Sequence, residues 1–182
     1  MQPMKYVGEW LSKNANSDHY LFKSTGLRAL CPDLSDNAFK ALLARTVRSG
    51  LLMRVSKGIY LYKKALRHDG LLLFHIAALM RANQFNYISL ETVLSDLGII
   101  SQIPINRITI MSSGRSNIIT CANYGVIEFI HTNQNPAALI DQLVYDKACG
   151  LWRANARLAL NDIKVTHRNC DLINWDIVNE FI

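Results

Sequence analysis

Residues 35–50 divide so cleanly into two sides that only an amphipathic helix accommodates them. Ser35 stands ahead of the run, with a hydroxyl able to accept from the helix's first free N–H groups. Asp36 falls in the first turn, where a negative charge suits the helix dipole, and Gly50 supplies a left-handed stop. At about 100° per residue, Phe39, Leu42, Leu43, Thr46 and Val47 share one side. Asn37, Lys40, Ala41, Ala44, Arg45 and Arg48 share the other. Past Asp36 the helix has no acid, whereas a merely solvated helix mixes signs. Small residues let such a face sit close in a major groove, while Asn, Lys and Arg reach base edges and phosphates. Ser35 is expected near a phosphate at the helix start.

The flanks extend the pattern. Residues 4–13 are expected to form a first helix, with Met4, Val7 and Leu11 on one face and Trp10 beside them. A short apolar segment follows at residues 20–22. Thr25 is expected to cap a short second helix, residues 26–31, which Pro32 ends. After Gly50, residues 52–55 and 59–62 read as two short strands around Ser56-Lys57-Gly58, with Gly58 free to take a positive φ. Arg54 and Lys57 fall near the tip of this hairpin, and Lys63 and Lys64 follow it. Helix, short helix, capped basic helix, glycine stop and basic hairpin are the winged helix-turn-helix order, a reader of double-stranded DNA.

Charge agrees with that order. Residues 1–70 hold twelve Lys or Arg against five Asp or Glu, a net of +7; residues 71–182 hold eight against nine, a net of −1. The whole positive excess belongs to the first module, so the remainder works without general attraction to phosphate.

The expected fold class is α+β. A winged helix-turn-helix, residues 1–66, joins a mixed α/β domain, residues 67–182, in which a small antiparallel sheet packs on helices. Half of the chain is hydrophobic, enough for such a core. Residues 71–82 are apolar nearly all round and read as a central buried helix around His75. Ser89 is expected to cap residues 90–97, and Gly98 to end them. Residues 106–111, 117–121 and 126–131 read as strands. Pro136 is expected to open a helix reaching residue 149. Further helices are expected at residues 152–160 and 176–181.

Cys31, Cys121, Cys149 and Cys170 have neither Cys-x-x-Cys nor metal-finger spacing, so reduced thiols are expected and no metal. No phosphate loop, nucleophile elbow, His-Glu-x-x-His motif or paired-acid motif occurs, so the expectation is a binding protein with no cofactor, not an enzyme. No apolar run is long enough to span a membrane, and the first residues lack a signal-peptide layout. A cytoplasmic location is expected.

Two stretches also resemble a family. The first is Val47-Arg48-Ser49-Gly50-Leu51-Leu52 with Lys57-Gly58-Ile59-Tyr60. The second is Tyr87-Ile88-Ser89-Leu90-Glu91-Thr92-Val93-Leu94-Ser95, then Leu97-Gly98-Ile99, followed by Ile108-Thr109-Ile110 and by Tyr124-Gly125 before Glu128-Phe129-Ile130-His131. In these the chain resembles the AbiEi-type antitoxins of abortive-infection, type IV toxin–antitoxin systems. Ala159, Leu160 and Asp162 match part of a later helix of that family, where Arg157 and Leu158 replace its Glu-Lys. The resemblance implies a repressor that binds operator inverted repeats, pairing on DNA, and that counters a nucleotidyltransferase-type toxin directly or indirectly. A ligand-responsive regulator with no toxin partner remains open, as does an enzyme or adaptor using a winged helix to bind protein.

Overall fold

The computed structural model describes residues 2–101 and 105–181. The chain is mixed α+β and divides into two compact units, Met1–Gly70 and Leu71–Ile182.

In the first unit, helix α1 (Pro3–Asn14) buries Val7 and Leu11. Strand β1 (Leu21–Lys23) leads into α2 (Ser24–Ala29), then α3 (Asp36–Arg48) and the hairpin β2 (Met53–Ser56) and β3 (Ile59–Leu61). A single 3-10 turn, Lys63–Ala65, closes the unit. The three strands form an antiparallel sheet in the order β1-β3-β2. Central β3 is therefore buried along its whole length, Tyr60 included. Val7, Leu11, Phe22, Leu27, Phe39, Leu42, Leu43, Leu52, Tyr60 and Tyr62 form one core.

Two local expectations need correction. Helix α2 starts at Ser24, one residue before Thr25, and no side chain caps it. Instead the Ser24 N–H donates to the Gly58 carbonyl at 2.8 Å, so the hairpin satisfies the helix start. Val47, placed on the buried side by periodicity, is 37% exposed. After Gly50 the chain doubles back, and Leu52 N–H bonds Thr46 O at 3.1 Å. That return covers Thr46, at 0% exposure, and leaves Val47 at the rim.

The second unit is a six-stranded mixed sheet rather than a small antiparallel one. Its strands are β4 (Asn86–Ile88), β5 (Arg107–Ser112), β6 (Asn117–Cys121), β7 (Gly125–His131), β8 (Leu143–Asp146) and β9 (Leu151–Ala154), in the order β6-β7-β5-β4-β9-β8. Pairs β5–β7 and β4–β9 are parallel; the others are antiparallel. Helices α4 (Leu72–Met80), α5 (Leu90–Asp96), α6 (Ala156–Val165) and α7 (Trp175–Val178) complete the unit.

Here too the sequence expectations shift. Residues 136–149 are not one helix: Pro136–Gln142 is 3-10, and β8 follows. Residues 152–160 are split as well, because β9 occupies Leu151–Ala154 and α6 starts after it. Asn155 marks that start by accepting from Leu158 N–H at 2.9 Å. In both places strand pairing overrides helical spacing: β8 and β9 form a hairpin across residues 147–150, and β9 also pairs with the distant β4. Helix α4 buries Leu72, Leu73, Ile76 and Ala77 on one face, leaving Phe74, His75 and Leu79 half-buried.

Ser89 makes no capping bond. Its backbone is extended and its hydroxyl donates to Asp162 at 2.7 Å. Asp162 is fully buried and also accepts from Gln134 Nε2 at 3.0 Å. Burial pushes its carboxyl above the usual range, partly offset by hydrogen bonds from Ser89, Tyr87 and Gln134. A second cluster joins Arg168 to Glu91 at 2.6 Å and to Glu128, which Arg107 also holds at 2.6 Å.

Candidate nucleic-acid interface

The first unit's local chemistry positions α3 firmly. Ser35 Oγ accepts from Ala38 N–H at 3.3 Å, fixing the first turn. At the other end, Ser49 N–H bonds Arg45 O and Gly50 N–H bonds Val47 O, with Gly50 at φ +75°. Phe39, Leu42, Leu43 and Thr46 face the core. Asn37, Lys40, Ala41, Ala44, Arg45 and Arg48 are all exposed, and so is Ser35. From Asn37 to Arg48 this face runs about 16 Å at 1.5 Å per residue.

One residue outside the expected contact set organises the turn before α3. The Arg28 guanidinium, on α2, donates to the Cys31 and Leu34 carbonyls and sits 3.4 Å from Pro32 O. It also lies 5.3 Å over the Phe39 ring and 3.8 Å from the Asp36 carboxylate. Five donors in a rigid fork suit that task, which a lysine cannot perform. Arg28 therefore ties α2, the turn and the start of α3 into one piece and offsets the acid nearest the cationic face. Its sequence signal is faint: a lone arginine three residues before Cys31-Pro32.

The hairpin carries Arg54 and Lys57, both exposed. Register jumps from Arg54 opposite Tyr60 to Ser56 opposite Ile59, so Val55 is bulged, with its side chain buried at 1%. Lys57 and Gly58 form the tip, and Gly58 takes the positive φ, +73°. Lys63 and Lys64 are exposed on the 3-10 turn. Among the described residues, none of the seven cations Lys40, Arg45, Arg48, Arg54, Lys57, Lys63 and Lys64 enters an ion pair. In the second unit, Arg107, Arg153 and Arg168 are each tied to carboxylates. Exposed Arg115, Lys147, Arg157 and Lys164 of that unit also lack an ion pair among the described residues, so what distinguishes the seven is that they share one helix face, a hairpin and the turn after it.

Other chemistry is sparse. Among the described residues, no group of three His, Cys, Asp or Glu side chains is arranged to hold a metal, and no helix is long and apolar enough to cross a membrane. The four cysteines are unpaired, and Cys31, Cys121 and Cys149 are buried. Burial holds the Cys121 thiol up at about 11. Burial and the neighbouring Asp146 hold Cys149 at about 12. Neither is a ready nucleophile. A cleft of about 460 Å³ in the second unit is lined by His131, Gln134, Asn161 and Thr166 among others. His131 is committed on both nitrogens, 2.9 Å from Gly114 O and 2.8 Å from Asn133 Oδ1.

No protein-family model matches the sequence, and no curated protein matches it. Among solved structures, the chain is similar to the crystal structure of the RV2827C protein from Mycobacterium tuberculosis, with a TM-score of 0.59 at 18% identity. The match covers 94% of this chain and 64% of that one, so this chain spans less than two thirds of its neighbour's length. The likeness is one of fold.

Proposed function

We propose that residues 1–66 are a winged helix-turn-helix that binds operator DNA, and that the chain is a transcriptional repressor serving as the antitoxin of a type IV toxin–antitoxin system. The observation that carries the DNA reading is the set of seven exposed, unpaired cations on α3, the hairpin and the turn after it, all in one unit. Asn37, Lys40, Arg45 and Arg48 read or flank base edges in the major groove, where Ala41 and Ala44 permit close approach. Arg54 and Lys57 contact backbone or minor groove from the wing, and Lys63 and Lys64 add sequence-independent attraction. Inverted repeats place two copies on the operator. The antitoxin part draws on the resemblance in residues 87–99 and 108–131, and the toxin it counters is of the nucleotidyltransferase type. The reading is non-enzymatic.

Gel-shift titration on the chain's own upstream DNA, at two salt concentrations, tests it. Arg45→Ala is expected to lower operator affinity roughly 5- to 150-fold and to relax base preference. Lys57→Ala is expected to weaken specific and non-specific DNA alike. Unchanged binding in both variants refutes the assigned surfaces. Co-expression with the adjacent reading frame, scoring growth rescue, tests the antitoxin part. A ligand-responsive regulator is the second reading, favoured by the cleft beside His131, whose size suits a small molecule. A neighbouring frame with no toxic activity supports that one.

A further inference from the structure

We infer that β8 is a self-association edge, pairing antiparallel with β8 of a second copy of this chain. The pairing goes beyond the DNA reading and does not rest on it. Strand β8 is the last strand on its side of the six-stranded sheet. Protein chains usually blunt such an edge with lysines, prolines or bulges. This one carries Val144 at 70% exposure and Tyr145 at 48%, with Ile140 at 58% just before them.

The backbone is poised for a symmetric partner. Asn155 N–H donates to Gln142 O at 2.9 Å, in the same register that sets Val144 opposite Arg153. Bonded pairs alternate along an antiparallel ladder. The N–H and C=O of Val144 and Asp146 therefore face β9, and those of Leu143 and Tyr145 face outward. A two-fold axis through Val144 sets Leu143 of one copy opposite Tyr145 of the partner subunit, outward group against outward group. The same axis sets Val144 against Val144 of the partner subunit, covering the most exposed apolar side chain of the strand.

Charge favours the antiparallel sense. Asp141, in the 3-10 segment just before β8, and Lys147, in the turn just after it, lie beyond the paired residues. Antiparallel pairing brings the end bearing Asp141 beside the end bearing Lys147 of the partner subunit, twice by symmetry. Both residues are exposed, and among the described residues neither enters an ion pair within its own chain. The opposite edge, β6, exposes Ile118 at 61% but offers no such match, because residues 112–127 include Arg115 and no acid.

Two four-residue strands bury far less than the ~1,200 Å² of a stable interface, so the pairing is transient, with a Kd of about 0.1–1 mM. Two copies on one inverted repeat reach effective concentrations of about the millimolar range, enough to populate it. That consequence, unlike the pairing, rests on the DNA reading.

Sedimentation equilibrium of the full chain without DNA tests the inference. A monomer–dimer equilibrium is expected at high protein concentration. Val144→Lys is expected to abolish it. Asp141→Lys and Lys147→Asp are each expected to weaken it about tenfold or more by setting like charges beside one another. The double variant carrying both changes restores the opposite pairing and is expected to recover the association. Circular dichroism verifies that the exposed substitutions leave the fold intact. A wild-type chain that stays monomeric into the millimolar range overturns the inference. So does self-association that Val144→Lys leaves intact, or a double variant no tighter than its parents.

Discussion

Removing the Arg28 side chain should loosen the first unit at the turn before α3. In Arg28→Ala the Cys31 and Leu34 carbonyls lose their guanidinium donor, and Phe39 loses the cation stacked 5.3 Å from its ring centre. A hydrogen bond to a charged group contributes about 1.5–3 kcal/mol net. The side chain is 30% exposed, so water partly replaces the lost donors, and the low end applies. The Asp36 contact at 3.8 Å adds little, since that carboxylate is 88% exposed. The expected loss is about 2–3 kcal/mol, which corresponds to roughly 30- to 150-fold faster hydrogen exchange of the most protected α3 amides. Exchange measured by mass spectrometry on the full chain reads the first unit separately from the second. Arg28→Lys keeps the charge but not the fork and should recover less than half of the loss. Unchanged α3 protection in Arg28→Ala would refute the view that this guanidinium holds the turn.

Other outcomes follow from the same structure. If all seven exposed cations meet phosphates, the slope of log affinity against log salt is about −6, and Lys57→Ala should flatten it by about 0.9 in gel shifts across a salt series. Gly125→Ala should destabilise the second unit by more than about 2 kcal/mol in thermal unfolding. Its φ is +134°, and a Cβ there would meet Asn106 O at 2.1 Å. Burial raises the Glu128 carboxyl, but the Arg107 hydrogen bond and the nearby Arg168 and Arg107 charges outweigh it and hold it below its usual range. Its stabilisation is thus complete above the ordinary glutamate range and lost as pH falls through the depressed value. Glu128→Gln should flatten that acid limb in urea titrations. Asp162 has the opposite sign: its raised carboxyl stabilises most at low pH, and that contribution declines as pH rises through the folded value. Asp162→Asn should remove the decline.

Helix α3 was legible from the sequence because its determinants are local: the Ser35 cap, the spacing of Phe39, Leu42, Leu43 and Thr46, and Gly50. The exposure of its cationic residues followed from the same spacing. The second unit was less legible because its sheet is built from distant pairings. Three-residue β4 was missed altogether, and its first residue is the buried polar Asn86, whose Oδ1 accepts from the Ser112 hydroxyl at 2.7 Å. Strand β7 pairs antiparallel with β6, as a hairpin reading expects, but also parallel with β5, which no local pattern announces. Asn155 was a readable cap that the apolar spacing of residues 152–160 obscured. Arg28 was invisible as a clamp because its partners are carbonyls, and every residue has one.

The bond from Ser24 N–H to the Gly58 carbonyl, modest as a helix start, joins the hairpin tip to α2, and Arg28 joins α2 to α3. Hairpin and exposed helix are therefore braced through α2 as well as by the direct bond from Leu52 N–H to Thr46 O. A surface assembled this way has its shape before anything docks. Little ordering entropy is left for the docking step, and discrimination then falls to how well the other surface conforms to a fixed template.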